Sequence, residues 1–245
     1  MYEFKTYFII IIIKNFSHLN VYVIHYTKLV ERKVAVQDLF KDKFFKVKFI
    51  TNFDKEEIYN FELEKYYLDD PNTYVNKSKL WKKDIHYRRL NDAEISCTLK
   101  HIEALKITAE SDSAYSLIVE DDVLPKKYYI SKLKRIIKNN HDWDILFIGQ
   151  GISKNFILKK INKRQWFGYK AYEVKHPASN CAEAYLIKSE VAKKVYENIL
   201  PFTLISDWEL AYQFYKLDLN VKWLYPPIFF QGSKSGKYKS ELREE

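Results

Sequence analysis

Short apolar runs alternate with segments of helical periodicity along this chain. Residues 21–26 form a compact apolar run, apolar positions in 31–40 recur at helical spacing, and residues 45–51 alternate with a period of two. The first pattern is typical of a buried strand, the second of a helix packed on one face, and the third of a half-buried strand. The chain is therefore predicted to open with a β-α-β unit.

The same alternation continues after residue 90. Asn91 and Glu94 have the spacing of a helix capping box, and the apolar positions that follow predict a helix of about four turns. Strands are predicted at 115–119, 144–148 and 181–188, and a helix at 126–139. Ser189 is predicted to cap a further helix that Pro201 ends, and Ser206 with Glu209 to form a second capping box.

Two stretches lack a clear period. Residues 54–89 are polar, charged and aromatic, which predicts an irregular or partly helical insertion that covers one side of a cleft, and residues 152–180 carry no guiding motif. Neither repeats nor a second domain boundary are visible, and 245 residues suit one sizeable domain. We expect an N-terminal extension or edge strand at 1–20, one domain at 21–235, and a basic, polar tail at 236–245.

An acidic cluster follows the predicted strand at 115–119. Glu120, Asp121 and Asp122 are consecutive, and open α/β folds bind ligands beyond the carboxyl ends of their strands. Adjacent carboxylates repel one another, so a divalent cation would stabilise them. A solvated turn is the alternative reading of the same three residues.

Composition narrows the class of protein. Aromatic residues make up 17% of the chain, charged residues 30%, and mean hydropathy is -0.40, which excludes a disordered chain and a membrane bundle. The apolar run at 7–13 is far shorter than the roughly 20 residues that span a bilayer. Cys97 and Cys181 have no Cys-x-x-Cys partner, so neither a zinc site nor a disulfide framework is expected. The two cysteines are therefore expected to lie in a reducing compartment. The net charge of +9 suits nucleic acid, acidic nucleotides, phospholipid surfaces or anionic glycans equally.

Seven features in order resemble glycosyltransferase family 25, which includes bacterial lipooligosaccharide galactosyltransferases and collagen galactosyltransferases. They are the strand 21–26 with Arg32, the helix segment Ala-Glu-Ile-Ser-Cys-Thr-Leu-Lys-His at 93–101, Glu-Asp-Asp at 120–122, the strand 144–149, Ala-Tyr-Leu-Ile at 184–187, Asp-Trp-Glu-Leu at 207–210, and Pro-Ile-Phe-Phe-Gln at 227–231. The chain differs from the family pattern at positions that bear on the donor sugar, namely His25, Tyr26, Ala93, Ser96 and Lys100.

The resemblance implies a fold and an activity. The fold would be α/β, a single GT-A type domain with a mostly parallel central sheet flanked by helices. The activity would be inverting transfer of a sugar, most often galactose and alternatively glucose, from a UDP-sugar donor, with Mn²⁺ or Mg²⁺ as cofactor. The acceptor would be a glycan or glycolipid, as in lipopolysaccharide biosynthesis. A cytoplasmic location with peripheral membrane contact is expected, and nucleic acid is not an expected partner.

The resemblance also assigns roles to residues. Glu120 and Asp122 would hold the metal, and Asp207 would be the catalytic base, although the helix N-terminus would lower the pKa of Asp207. Strand alternation would turn Asp121 away from Glu120 and Asp122. The residues expected to bind the nucleotide donor are His25, Tyr26, Arg32, Thr51, Asn52, Glu120, Asp121, Gln231 and Ser233, with Lys234 and Ser235 as further phosphate donors.

Several side chains have competing interpretations. His101 lines the site or packs in the core, and Glu209 is more simply a helix cap than a catalytic group. The aromatic residues Trp208, Tyr212 and Tyr215 form a sugar platform or pack in the core. For the whole chain, the alternatives are a basic nucleic-acid-binding protein, an inactive carbohydrate-binding member of the same fold, or a nucleotidyltransferase, whose glycine-rich phosphate loop is not evident.

Overall fold

A computed structural model describes residues 18–81, 86–139, 142–151, 170–173 and 182–242. The strands in these ranges are β1 (Leu19–Ile24), β2 (Phe45–Ile50), β3 (Tyr115–Glu120), β4 (Val123–Pro125), β5 (Ile145–Phe147), β6 (Lys170–Glu173), β7 (Ala184–Lys188), β8 (Val221–Tyr225) and β9 (Phe229–Gln231). The α-helices are α1 (Val30–Leu39), α2 (Pro71–Ser78), α3 (Asp92–Ala109), α4 (Tyr129–Asn139), α5 (Ser189–Ile199) and α6 (Ser206–Lys216). Short 3₁₀ turns lie at Ile58–Asn60, Leu63–Lys65 and Lys79–Trp81.

Seven strands form one sheet in the order β2-β1-β3-β7-β5-β8-β6. β1, β2, β3, β5 and β8 run in one direction, whereas β7 and β6 run antiparallel to their neighbours. β4 and β9 pair with each other as a separate antiparallel ribbon. The predicted α/β fold with a mostly parallel central sheet is confirmed, and the β-α-β opening is formed by β1, α1 and β2.

Helices cover both faces of the sheet because its central strands are apolar on both sides. Val21 and Val23 of β1 pack in one core layer with side chains of α1 and α4. Tyr22 and Ile24 point the other way, into a layer shared with α3, α5 and α6. Such strands, buried on both faces, read as continuous apolar runs rather than as alternating ones, as residues 21–26 do.

The start of α3 follows the predicted capping box. The Asn91 side chain accepts a hydrogen bond from the Glu94 N–H at 2.9 Å, and the Asn91 N–H donates to the Glu94 carboxylate at 3.1 Å. The helix continues for 18 residues, longer than the predicted four turns. Its length carries it across the sheet, so that its first half ends beside the carboxyl end of β3.

The two other predicted caps are wrong. α5 begins at Ser189 itself, with Lys188 at the N-cap position, and the Ser189 hydroxyl bonds a loop carbonyl instead. α6 begins at Ser206, with Ile205 as N-cap and no side-chain capping bond. Glu209 does not complete a capping box because its carboxylate is used elsewhere in the core.

The insertion after β2 is partly helical, as predicted. α2 begins after Asp70, whose side chain accepts from the Thr73 N–H at 2.8 Å. The helix is held to α6 through a buried ion pair between Lys77 and Glu209. Residues 82–85 of the insertion, the apolar run at 7–13, Cys181 and most of 152–180 lie outside the described residues. In the part of the chain that is described, no helix has the length and apolarity needed to cross a bilayer.

Candidate functional site

The acidic residues after β3 border an open cavity of about 650 Å³ at the carboxyl edge of the sheet. It lies where β1 and β3 end, beside the start of α3 and under the segment that follows β9. The lining residues include His25, Tyr26, Arg32, Lys55, Ala93, Ser96, Cys97, Lys100, Glu120, Asp121, Asp122, Gln231, Ser233 and Ser240.

Glu120 is the last residue of β3 and the centre of the acidic cluster. Its Oε1 lies 3.6 Å from Nε2 of His101, and its Oε2 lies 3.4 Å from the Gln231 amide nitrogen, so the two oxygens face different groups. Burial, together with repulsion from Asp122 and Asp121, raises the pKa of Glu120 to about 8. Desolvation is the largest cause, so Glu120 ionises less readily than an ordinary glutamate.

Asp122 is held by a tight turn that follows β9. The Asp122 carbonyl accepts from the Gly232 N–H at 2.8 Å, and its Oδ2 accepts from the Ser233 N–H at 3.0 Å. A side chain at Gly232 would overlap the Asp122 backbone and the Tyr238 ring, so this close approach requires glycine. The second oxygen, Oδ1, is buried and makes no hydrogen bond with any described residue.

Asp121 lines the same cavity as its neighbours, contrary to the expectation from strand alternation. β3 ends at Glu120, so Asp121 and Asp122 belong to a turn in which alternation no longer applies. The Asp121 carboxylate lies 2.8 Å from Nδ1 of His25 and 3.0 Å from the Arg32 guanidinium. All three side chains are buried, so Asp121 links the end of β1 to α1 rather than presenting a free charge.

The segment after β9 closes one side of the cavity. Arg32 donates to the Lys239 carbonyl and stacks on the Tyr238 ring at 5.1 Å. Further along, the Asn91 amide donates to the Leu242 carbonyl at 3.1 Å. Gln231 and Ser233, two of the residues expected to bind the donor, line the cavity. Lys234 is close enough for its charge to offset part of the rise in the pKa of Glu120. Ser235 instead bonds within its own turn, to the Gly232 carbonyl.

Tyr26 lines the cavity and is surrounded by charged groups. Its hydroxyl donates to Glu56 at 2.5 Å, and the ammonium of Lys100 lies 5.9 Å from its ring centroid. Lys100 is buried, donates to the His25 carbonyl at 2.6 Å and pairs with the Asp54 carboxylate. Of the predicted nucleotide-binding residues, Thr51 and Asn52 are not brought to this cavity.

The Asp207 carboxyl interacts electrostatically with Glu120 of the site. It does not line the cavity, its Oδ1 is buried without a hydrogen bond to a described residue, and burial together with the Glu120 charge raises its pKa to about 7. The direction is opposite to the expected lowering. The helix N-terminus does act in the expected sense, since the Trp208 N–H favours the ionised form, but the loss of solvation is larger.

Glu183 is a buried acidic neighbour of Glu120 that the sequence interpretation missed. It is 1% exposed, directly precedes β7, and accepts from the Gln150 N–H. Burial and the Glu120 charge raise its pKa to about 7. Gly149 has no room for a side chain beside this carboxylate. The sequence signal that could have identified Glu183 is the presence of an acidic residue within the apolar stretch 181–188, which was predicted to be a strand.

None of the remaining candidates lines the cavity. His101 is buried beneath Glu120, does not line the cavity, and desolvation lowers its pKa to about 3. Trp208 stacks on Trp81 of the insertion at 5.2 Å, and the Tyr212 ring contacts the Lys77 ammonium at 5.2 Å. Tyr215 is 55% exposed on the surface of α6.

Comparisons with known proteins agree with the resemblance noted from the motifs. Among solved structures, S. aureus TarS has a TM-score of 0.46 at 15% identity, with 87% of this chain and 36% of that chain covered. Mouse xyloside xylosyltransferase 1 has a TM-score of 0.38 at 11% identity, with 83% and 70% covered. A197 from STIV has a TM-score of 0.37 at 12% identity, with 84% and 81% covered.

These structural likenesses are too distant to carry a functional inference, and this chain spans only about a third of the TarS chain. No curated protein sequence matches. The model of glycosyltransferase family 25, described as an LPS biosynthesis protein family, matches residues 18–210, which include the acidic cluster and Asp207. The chain therefore belongs to glycosyltransferase family 25.

Proposed function

We propose that this chain is a metal-dependent, inverting glycosyltransferase, and that it moves a sugar from a UDP-sugar to a hydroxyl of a glycan or glycoconjugate. Galactose is the favoured sugar and glucose the alternative. The observation that supports this most strongly is the pairing of Glu120 with Asp122 at the edge of an open cavity. We further propose a cytoplasmic location with peripheral membrane contact, which would bring a glycolipid acceptor to the cavity.

Glu120 and Asp122 are the proposed ligands of Mn²⁺ or Mg²⁺. Carboxylate oxygens are the donors that these cations prefer. The buried Oδ1 of Asp122 has no hydrogen bond to a described residue. Burial and the neighbouring carboxylates raise the pKa of Glu120, and a bound cation would favour its ionised form. When bound, the cation would neutralise the charge that develops on the departing diphosphate.

The other lining residues suit the nucleotide. The Tyr26 ring offers an aromatic face for the uracil base, and it is held by its bond to Glu56. Asp121 fixes His25 and Arg32, which border the same space. The side chains of Gln231 and Ser233 offer amide and hydroxyl donors to phosphate oxygens. Thr51 and Asn52 lie away from the cavity and are omitted from this set.

Asp207 is the proposed base. The acceptor hydroxyl attacks the anomeric carbon, a new carbon–oxygen bond forms, and the bond from that carbon to the diphosphate oxygen breaks. The hydroxyl proton passes to the Asp207 carboxylate as the attack proceeds. A pKa raised to about 7 makes Asp207 a stronger base at neutral pH than an ordinary aspartate.

The test is a screen of UDP-Gal, UDP-Glc, UDP-GlcNAc and UDP-GalNAc for Mn²⁺-dependent UDP release. We expect release from one or two donors, and its loss in the Asp122→Ala variant and in EDTA. Asp112→Ala is the matched control because Asp112 is exposed and precedes β3 at the opposite edge of the sheet. That control should retain full activity.

Release that persists in EDTA would contradict the metal role. Tight binding of UDP and Mn²⁺ without any release would favour the inactive, carbohydrate-binding alternative. Salt-sensitive binding of random oligonucleotides that is stronger than binding of UDP would favour the nucleic-acid alternative.

A further inference from the structure

Three side chains with different metal-binding atoms, those of Cys97, His101 and Glu120, come together on the side of Glu120 that faces away from Gln231. Cys97 and His101 are four residues apart on α3 and therefore share a helix face. Glu120 reaches the same point from the end of β3. One ligand atom from each of the three residues lies within 4.8 Å of the other two. The sequence offered no such site, since Cys97 has no Cys-x-x-Cys partner.

His101 presents an unused nitrogen to this point. Its ring is 1% exposed, and Nε2 is buried without a hydrogen bond to any described residue. The other nitrogen, Nδ1, lies 3.2 Å from the Tyr185 hydroxyl. When Nδ1 carries the proton and donates it to that hydroxyl, the lone pair of Nε2 points toward Glu120. Metal-bound histidines are commonly oriented by such a bond from the second nitrogen.

The two carboxylate oxygens of Glu120 face different neighbours. Oε1 lies 3.6 Å from Nε2 of His101, whereas Oε2 faces the Gln231 amide at 3.4 Å. His101 is absent from the cavity lining, whereas Cys97, Glu120, Gln231 and Asp122 are part of it. The unused nitrogen of His101 therefore distinguishes this point from the position of a cation beside Asp122.

We propose that Cys97, His101 and Oε1 of Glu120 form an interior cation site that takes a borderline-soft transition ion such as Zn²⁺. Thiolate and imidazole ligands select such ions over Mg²⁺ and Ca²⁺, which prefer oxygen ligands alone. The site goes beyond the proposed reaction because neither donor nor acceptor is needed to fill it. Glu120 then bridges two positions, one inside the fold and one in the cavity.

The spacing of the three ligands is close to what such an ion needs. Ligand atoms about 2.0–2.3 Å from a tetrahedral zinc ion stand roughly 3.3–3.7 Å apart. The distance from His101 to Glu120 lies in that range, and the ligand atom of Cys97 lies within 4.8 Å of both. On loading, the Cys97 S–H bond breaks, the thiolate binds the ion, and the proton leaves to solvent. No oxidant or reductant is required.

The proposed ion would hold α3 against β3. It would fix the Glu120 carboxylate so that Oε2 remains directed at the cavity. Cys97, His101 and Glu120 are then positioning residues for the second, cavity-side cation. Simple core packing of Cys97 and His101 would give no metal-dependent signal, so the two roles are distinguishable.

Cobalt absorption tests the site on the full-length, reduced chain after removal of bound metal with EDTA. Titration with Co²⁺ should produce a near-ultraviolet thiolate-to-cobalt charge-transfer band, and Zn²⁺ should abolish it by displacement. Cys97→Ser should lose the band, and His101→Gln should weaken cobalt binding. Tyr185→Phe should weaken it by about tenfold or more, because only the orienting bond to His101 is lost.

Two controls locate the ion. Cys181→Ser removes the only other thiol and should keep the band, and Asp122→Asn should keep it because Asp122 serves only the cavity side. The proposal is overturned if the wild type shows no charge-transfer band in excess Co²⁺, or if either control variant loses it. The wild-type titration with Zn²⁺ competition needs no variant, so a folding defect in Cys97→Ser leaves the test intact. Since no donor is present, this result and UDP release can fail independently.

Discussion

The Lys77 ammonium lies 2.8 Å from Oε1 and 2.9 Å from Oε2 of Glu209, and the Glu209 side chain is wholly excluded from solvent. The same carboxylate accepts the N–H groups of Thr203 and Leu204, both at 3.1 Å, and the Gln213 amide at 2.9 Å. All the strong acceptor positions of Glu209 are therefore used. Through this one side chain, the insertion helix α2 is attached to the start of α6, where Asp207 lies.

Removing the cation of this pair should destabilise the fold. Lys77→Met leaves the Glu209 charge buried without its partner, and such losses cost about 3–5 kcal/mol. The free energy of unfolding in urea would measure this cost. Lys79→Met is the matched control, because Lys79 is exposed and bonds only Asn76 among described residues, so its effect should stay within about 0.5 kcal/mol. Equal effects of the two variants would contradict a structural role for the pair.

A second buried pair should show strong coupling. Lys100 is 2% exposed and is bonded to Asp54 and to the His25 carbonyl. In a double-mutant cycle of Lys100→Met and Asp54→Asn, we expect the double variant to lose at least about 1 kcal/mol less than the sum of the single variants. Denaturant unfolding of the four proteins would measure the coupling.

The exposed pair of Lys41 and Asp38, at 2.8 Å, provides the comparison. Its coupling should be below about 0.5 kcal/mol because solvent screens both charges. Additive effects at Lys100 and Asp54 would mean that the buried pair does not act as a unit.

Glu183 should make stability depend on pH. Its pKa is raised from 4.5 to about 7, so the folded state keeps a proton that the unfolded state has released. The stability of the metal-free protein should therefore fall as pH rises from about 4.5 to about 7, and change little above that from this group. Glu183→Gln cannot ionise, and above pH 7 it should be more stable than wild type by up to roughly 3 kcal/mol.

Urea unfolding across this pH range in EDTA would measure the Glu183 effect. Glu190→Gln, an exposed substitution in the first turn of α5, should leave the slope unchanged. Glu120 and Asp207 also have raised pKa values and contribute to the slope in the same direction. A slope in Glu183→Gln as steep as that of the wild type would therefore contradict the contribution of Glu183.

Asp207 should control the acid side of the pH–rate profile. A base with a pKa of about 7 is protonated at lower pH, so kcat/KM should fall as pH drops below about 7. Asp207→Asn should reduce kcat by roughly a hundred- to ten-thousandfold and remove that limb. UDP release with saturating acceptor would measure both effects, with Asp112→Asn as the exposed control. A normal limb in Asp207→Asn would assign the base to another residue.

The fold was largely predictable because local patterns carry its elements. The apolar run of β1, the capping box of Asn91 and Glu94, and the helical period of α1 and α3 all appear where the sequence indicated them. Ser189 and Ser206 failed as caps because a serine before a helical pattern satisfies the same local rule whether it precedes the helix or begins it. Which of the two occurs depends on the loop bonds around it.

The candidate site was predictable where it follows a strand end. Glu120, Asp121 and Asp122 could be located because the carboxyl edge of an α/β sheet collects ligands. Thr51 and Asn52 also follow a strand, β2, yet they lie away from the cavity, because that strand is at the border of the sheet. The expected pKa of Asp207 was wrong in direction because burial, which sequence does not reveal, exceeded the effect of the helix N-terminus.

The sequence by itself determined the alternation of strands and helices, the order of the family motifs and the position of the acidic cluster. Tertiary structure alone decided that Cys97 and His101 meet Glu120, that Glu183 joins the acidic groups, and that Lys77 is bonded to Glu209. Periodicity states which face of a helix is buried, but not which strand that face meets. Contacts between distant residues, and the desolvation that shifts their pKa values, arise only when the layers pack together.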